Sequence, residues 1–160
     1  MRKGSSLIEV LIYSALLAIF IGATFSFVAS ILGSTDNLLE RNEVVATSEF
    51  IEHKIAWLAG QATGIAVPAS GQSSTTIVFT GADSALFPAT FAWGSSTLSL
   101  ALPGVAAAPL TNGRILVSSF LAERFSSAQT ANTLRVGFNI GSVIYPYLTV
   151  TSTTHYAIGE

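Results

Sequence analysis

The chain predicts an α+β fold: one long N-terminal helix followed by a C-terminal antiparallel β-sheet head. Three features of its 160 residues predict it. The 26 residues from Val10 to Thr35 carry no charged side chain and are mostly apolar. From Asp36 to about Ala59, Val44, Ile51, Ile55 and Leu58 recur at helical spacing, with Ser48 filling a gap. Beyond Gly64 the period shortens to two, most clearly in Thr97-Leu98-Ser99-Leu100-Ala101-Leu102.

The first stretch is long enough to cross a bilayer, which takes about 20 residues at about 1.5 Å each. Arg2 and Lys3 precede it and place the N-terminus on the cytoplasmic side by the positive-inside rule. Glu9 lies on the membrane side of that pair, alone. An acidic group at mid-bilayer costs roughly 2.5–3.5 kcal/mol, and somewhat less near the interface. A carboxylate kept there needs a partner, and the chain offers none nearby. The expected partner is another molecule. A secretory signal cleaved after Val28-Ala29-Ser30 also has a basic start, but its apolar core spans about 7–15 residues and has no leading Glu. A plain single-span anchor has no use for Glu9 either.

Along the same helix Ser14, Ala18, Gly22, Ser26, Ser30 and Ser34 recur every four residues. Such a stripe of small side chains allows close helix approach in lipid or in a filament core. The same residues are also common in any membrane helix, so both readings stand. The helix is expected to continue past the membrane, with Gly33 as the candidate bend and Gly60 to Gly64 as the stop. Glu40, Glu43, Glu49 and Glu52 are expected to lie mainly away from the apolar stripe. His53 has no ligand partner at i±4 and reads as a surface residue.

The strands follow in order. Thr75–Thr80 is a candidate, Phe91–Trp93 a short one ending at Gly94, and Thr97–Leu102 the clearest. Pro103-Gly104 makes a turn and Val105–Pro109 a loop. Arg114–Phe125 and Thr133–Ile140 read as further strands, separated by a polar turn at Ser126–Asn132. After Asn139–Ser142, Val143–Tyr156 reads as a strand interrupted by Pro146, hence an edge or a bulge.

Lys3-Gly4-Ser5-Ser6-Leu7-Ile8-Glu9-Val10 resembles the prepilin cleavage motif of type IV pilins and type II secretion pseudopilins. Pro109-Leu110-Thr111-Asn112 is similar to the heads of J-type pseudopilins and related minor pilins. The resemblance is sharp over the first 30 residues and loose beyond. It implies a leader at 1–4, a transmembrane and filament-core helix at 5–33, and a head at 34–160. Prepilin peptidase would cut between Gly4 and Ser5, making Glu9 the fifth mature residue. The first mature residue in the family is usually Phe, whose amine the same enzyme methylates. Here it is Ser5, a departure that bears on methylation and not on cleavage. The absence of a proline in the anchor is compatible with minor pilins and pseudopilins.

Composition narrows the function. Half the residues are hydrophobic, a tenth are charged, and the formal net charge is −2. From Gly60 onward only Asp83, Arg114, Glu123, Arg124, Arg135 and Glu160 are charged. So weakly charged a surface suggests packing into an assembly, and there is no basic footprint for nucleic acid. There is no cysteine, so no disulfide can form.

Beyond Gly60 His155 is the only histidine, with Asp83 and Glu123 as the only conceivable orienting acids. Asp83 alone cannot build a calcium cage of 6–8 oxygens, by the usual rough count. Gly137-Phe138-Asn139-Ile140-Gly141 reads as strand punctuation and not as a phosphate loop. Trp57, Trp93, Tyr145, Tyr147 and Tyr156 read as core or interface anchors. No enzyme, metal, cofactor or small-molecule substrate is expected.

The expected function is that of a minor pilin or pseudopilin in a type IV pilus or a type II secretion pseudopilus. Its expected partners are prepilin peptidase, other pilin or pseudopilin subunits and, before assembly, membrane lipid. Its expected location is the cytoplasmic membrane with the head outside, then an extracytoplasmic filament. The alternative is a membrane-anchored envelope binding domain that never polymerises. Glu9 and the Gly4–Ser5 junction separate the two, because a simple anchor needs neither.

Overall fold

A computed structural model describes the backbone of residues 7–127 and 130–159, and the side chains of these except 126–127 and 130–132. Gly4 and Ser5 lie outside the described residues. The fold is α+β: among the described residues one helix, α1 (Leu7–Gln61), precedes nine strands arranged in two antiparallel sheets. α1 runs through Gly33 without a break and ends at Gln61, where Gly60 and Gly64 flank the stop. The chain divides into two compact units, Met1–Leu39 and Glu40–Glu160.

The second unit is the head, and it holds the core. The first sheet comprises β1 (Gly64–Val67), β3 (Thr76–Thr80), β4 (Ala89–Gly94), β5 (Thr97–Ala101) and β6 (Ala108–Pro109), in the order β1-β3-β4-β5-β6. The second comprises β2 (Ser73–Ser74), β7 (Ile115–Ser127), β8 (Thr130–Ser142) and β9 (Thr149–Ile158), in the order β2-β7-β8-β9. Sequence reading expects one sheet. Two form because β1 and β2, a few residues apart, pair with different partners: Ile65 lies opposite Phe79, while Ser73 lies opposite Glu123.

β1, β2 and β6 are too short to show a period, and the sequence does not announce them. β9 starts at Thr149 and not at Val143, so Pro146 falls in the preceding loop and interrupts no ladder.

The face of α1 that carries Val44, Ile51, Ile55 and Leu58 is buried, each residue 1 % exposed or less. It shares one apolar core with Ile77, Phe79 and Phe91 of the first sheet and Val117, Leu134, Val136 and Ile140 of the second. Phe79 and Phe91 meet edge to face with centroids 6.1 Å apart, an arrangement worth roughly 0.5–1.5 kcal/mol beyond its buried area.

Polar ties also cross between the sheets. The Trp93 indole N–H donates to the Val117 carbonyl at 3.0 Å, and the Val117 N–H donates to the Ser96 carbonyl at 2.8 Å. The Arg124 guanidinium donates to the Ile65 carbonyl at 2.7 Å. Ser96 and its neighbour Ser95 form the β4–β5 turn with φ of 63° and 52°. Two left-handed residues in a two-residue hairpin match the twist of the flanking strands.

Tyr156 of β9 is buried, and its hydroxyl reaches the Glu52 carbonyl on α1 at 3.5 Å. Burial raises its pKa, a hydrogen bond with Thr154 works the other way, and the Glu52 carboxylate adds to the rise. A phenol harder to ionise when folded contributes stability that is fully present below its unfolded pKa, about 10. That contribution is lost as pH rises through the folded value. Urea midpoints should therefore fall more steeply above about pH 10 in the wild type than in Tyr156→Phe.

Candidate functional site

The residues singled out from the sequence fall in two places, each within one unit. In the first unit, α1 from Leu7 to Leu39 is exposed along nearly its whole length, including Leu7, Phe20, Phe25 and Phe27. The helix is long and apolar enough to cross a membrane. Four of its hydroxyls are satisfied within the helix. Ser14 donates to the Leu11 carbonyl at 2.9 Å, Thr24 to Phe20 at 2.8 Å, Ser34 to Ser30 and Thr35 to Ile31 at 3.0 Å each. No polar atom of these side chains is left to penalise burial in an apolar environment.

Glu9 lies in the first turn of the helix and is exposed. It is the only carboxylate of α1 before Asp36. Ser14, Ala18, Gly22, Ser26 and Ser30 all lie on this continuous helix and all are exposed. At about 100° per residue each four-residue step turns by about 40°, so they follow the inclined i±4 ridge. That ridge lets small residues bring two helices together at a right-handed crossing. Nothing lies within 4 Å of where a Gly22 Cβ would stand, so the surface there is open. Beside it, Phe20, Ile21, Thr24, Phe25 and Val28 line a groove of about 250 Å³.

The second place, in the head, was not legible from periodicity. Glu40 is buried, 2 % exposed, and it stands on the apolar stripe four residues before Val44. The expectation that Glu40 faces away from that stripe is therefore corrected: the charged residue begins the stripe. It is tolerated there because it is fully partnered. Arg114 makes an ion pair and hydrogen bond to its Oε2, and the buried Ser142 donates to its Oε1 at 2.7 Å.

Asn112 sets the arginine in place. Its Oδ1 accepts the backbone N–H groups of Arg114 at 2.9 Å and Ile115 at 3.1 Å, and its Nδ2 donates to Glu43 Oε1 at 2.7 Å. Arg114 also lies 3.7 Å from Glu43 Oε2. Ser142 in turn accepts the N–H groups of Ile144 and Tyr145 at 3.0 Å each. One buried carboxylate thus ties α1 to the strand ends of β7 and β8. The visible signal in the sequence is the scarcity of arginine in the head, which leaves few partners for any buried acid.

The remaining candidates are dispersed. The Asp83 carboxylate accepts the Ala85 N–H at 2.8 Å, capping its own turn. His155 lies opposite Arg135 in the β8–β9 ladder, and Arg135 pairs with Glu123 across β7. On α1, Lys54 stands over both Phe50 and Trp57, 5.7 and 5.8 Å from their centroids. Among the described residues no three of His, Cys, Asp and Glu gather as a metal site would require. No protein-family model matches the chain, and neither a curated protein nor a solved structure is found to match it.

Proposed function

We propose that the chain is a minor pilin or pseudopilin, a structural subunit drawn from the cytoplasmic membrane into a type IV pilus or type II secretion pseudopilus. Prepilin peptidase removes Met1–Gly4, and the apolar half of α1 then holds the subunit in the membrane, head outward, until it docks among other pilin-like helices. The observation that carries this reading is Glu9: a lone carboxylate at the start of a long exposed apolar helix, a few residues after the Gly4–Ser5 junction in the sequence. The non-polymerising anchored domain leaves both Glu9 and Gly4 without a use.

The chemistry of docking follows. Cleavage leaves an amine on Ser5 with an ordinary pKa of about 7.7–8.0, largely protonated at neutral pH. Glu9 of one subunit can face that amine on a neighbour. Opposite charges about 4 Å apart attract by roughly 4 kcal/mol at an effective dielectric of about 20. The attraction offsets the cost of Glu9 in the membrane only when a neighbour is present, and so favours assembly over the free state. The small residues from Ser14 to Ser30 let the helices come close enough.

Glu9→Leu should insert, be cut after Gly4 and fold its head, yet be depleted from filaments. The loss of one partner of a buried pair, about 3–5 kcal/mol, corresponds to more than a hundredfold in incorporation. Sheared filaments probed by immunodetection measure incorporation, and mass spectrometry of the mature chain reads the cut. Wild-type incorporation of Glu9→Leu would sink the pairing. An N-terminus at Met1, or near Ile31, would sink the prepilin reading as a whole.

A further inference from the structure

The two sheets end in four strands, β1, β6, β2 and β9, and three of these are short or irregular. β2 and β6 are two residues each, and β6 ends in Pro109. β1 is four residues long with a register shift between Ile65 and Val67 and a proline directly after it. Short strands, bulges and prolines are the devices that keep an edge from recruiting a partner.

β9 has none of them. It is ten residues long and pairs with β8 without a register shift from Thr149 to Ile158. It contains no proline, no glycine and no Lys, Arg, Asp or Glu, and it includes Thr149, Val150, Thr151, Thr153 and Thr154, which favour strands. Among the described residues, no backbone hydrogen bond is present for Thr149–Ile158 beyond the pairing with β8. One side of the strand therefore offers a row of unused donors and acceptors that only another extended strand can satisfy together.

We propose that β9 is a self-association edge, on which the β9 strands of two copies pair antiparallel and join two four-stranded sheets into one. The pairing goes beyond the filament reading and does not depend on it. A second copy fits because the edge carries no formal charge, so self-pairing opposes no like charges. Its alternation also matches itself: Thr149, Thr151, Thr153, His155 and Ala157 are exposed, while the intervening residues are half-buried or buried. Opposed residues in a ladder must share a face, so two-fold pairing sets one residue opposite its own copy. The greatest overlap places that residue at Thr153 or Thr154. With Thr153 at the centre, Thr151 of each copy lies opposite His155 of the other, and Thr–Thr contacts fill the middle of the seam.

The absence of cysteine makes the test direct. Single cysteines at each position from Thr149 to Ala157, in the full chain in detergent, are oxidised and the disulfide dimer is quantified. The dimer should peak at Thr153→Cys or Thr154→Cys, at least about tenfold above exposed Ser84→Cys and above Thr151→Cys and His155→Cys. Facing residues lie about 4.5–5.5 Å apart, within disulfide reach, whereas a two-residue offset opens the pair by about 13 Å.

Thr153→Lys, or Thr154→Lys where the peak falls there, sets two ammonium groups together and should return the uncrosslinked chain to monomer by ultracentrifugation, whereas valine at that same position should leave it dimeric. Circular dichroism of both variants establishes that the head is folded. A flat cross-linking profile, a peak elsewhere, or dimers that survive the lysine at the peak position in a folded head would overturn the proposal. An edge filled by another protein's strand would give the flat profile and a monomer.

Discussion

Ile55→Ala is expected to destabilise the head by about 2–5 kcal/mol. Ile55 is fully buried on the helical stripe and belongs to the core that residues of both sheets share. The upper half of the range is favoured because that core includes ring-bearing and β-branched residues already paired in ladders, which have little freedom to collapse into a space. Phe79, Phe91, Val117, Val136 and Ile140 are all 1 % exposed or less. For a domain whose whole stability is about 5–15 kcal/mol, the loss should lower the melting temperature by roughly 10 °C or more. Thermal denaturation followed by circular dichroism reads it directly. An unchanged midpoint would mean that α1 does not rest on the sheets through this face.

Arg114→Met is expected to cost about 3 kcal/mol. Removing one member of a buried ion pair typically costs about 3–5 kcal/mol, because the other charge stays buried without a partner. Here Glu40 is the buried member and Arg114 is 57 % exposed, so water reaches the vacated side and places the cost at the lower end. Ser142 still donates to Glu40, which also limits the damage.

The double variant Glu40→Leu with Arg114→Met should recover most of the loss, since an apolar pair of similar volume leaves no charge to desolvate. Urea unfolding of both singles and the double closes the cycle. Additive losses in the double would show that the two side chains act independently. The effect should persist at high salt, because a buried carboxylate is poorly screened.

How much of this was legible in the sequence follows from the range of each interaction. The helix was, because Val44, Ile51, Ile55 and Leu58 encode it within fifteen residues and all four are buried. β3, β5, β7 and β8 were, because their alternation is local. β1, β2 and β6 were not, since two to four residues carry no period. Glu40 was misplaced for a different reason. Its partners Arg114 and Ser142 lie 74 and 102 residues away along the chain, and only the fold brings them to the helix. Single-sequence reasoning puts a glutamate on the wet face unless it sees the arginine that will meet it. Glu9 and the small residues Ser14 to Ser30 lie on α1, and the Gly4–Ser5 junction lies outside the described residues.

The Glu40 tie also has a mechanical meaning. Glu40 is the first residue of the head, and the next buried contact on α1 is Val44. A pull along α1 from its N-terminal side therefore loads the Glu40–Arg114–Ser142 junction before any apolar contact of the core bears force. A hydrogen-bonded ionic junction is short-ranged and stiff: it resists small displacements strongly and lets go within a fraction of an ångström of extension. Apolar packing yields more gradually. The head is thus built with a brittle first fastener in front of a compliant second one, so under steady traction it would hold its helix in register up to a threshold load and then begin to peel from this end.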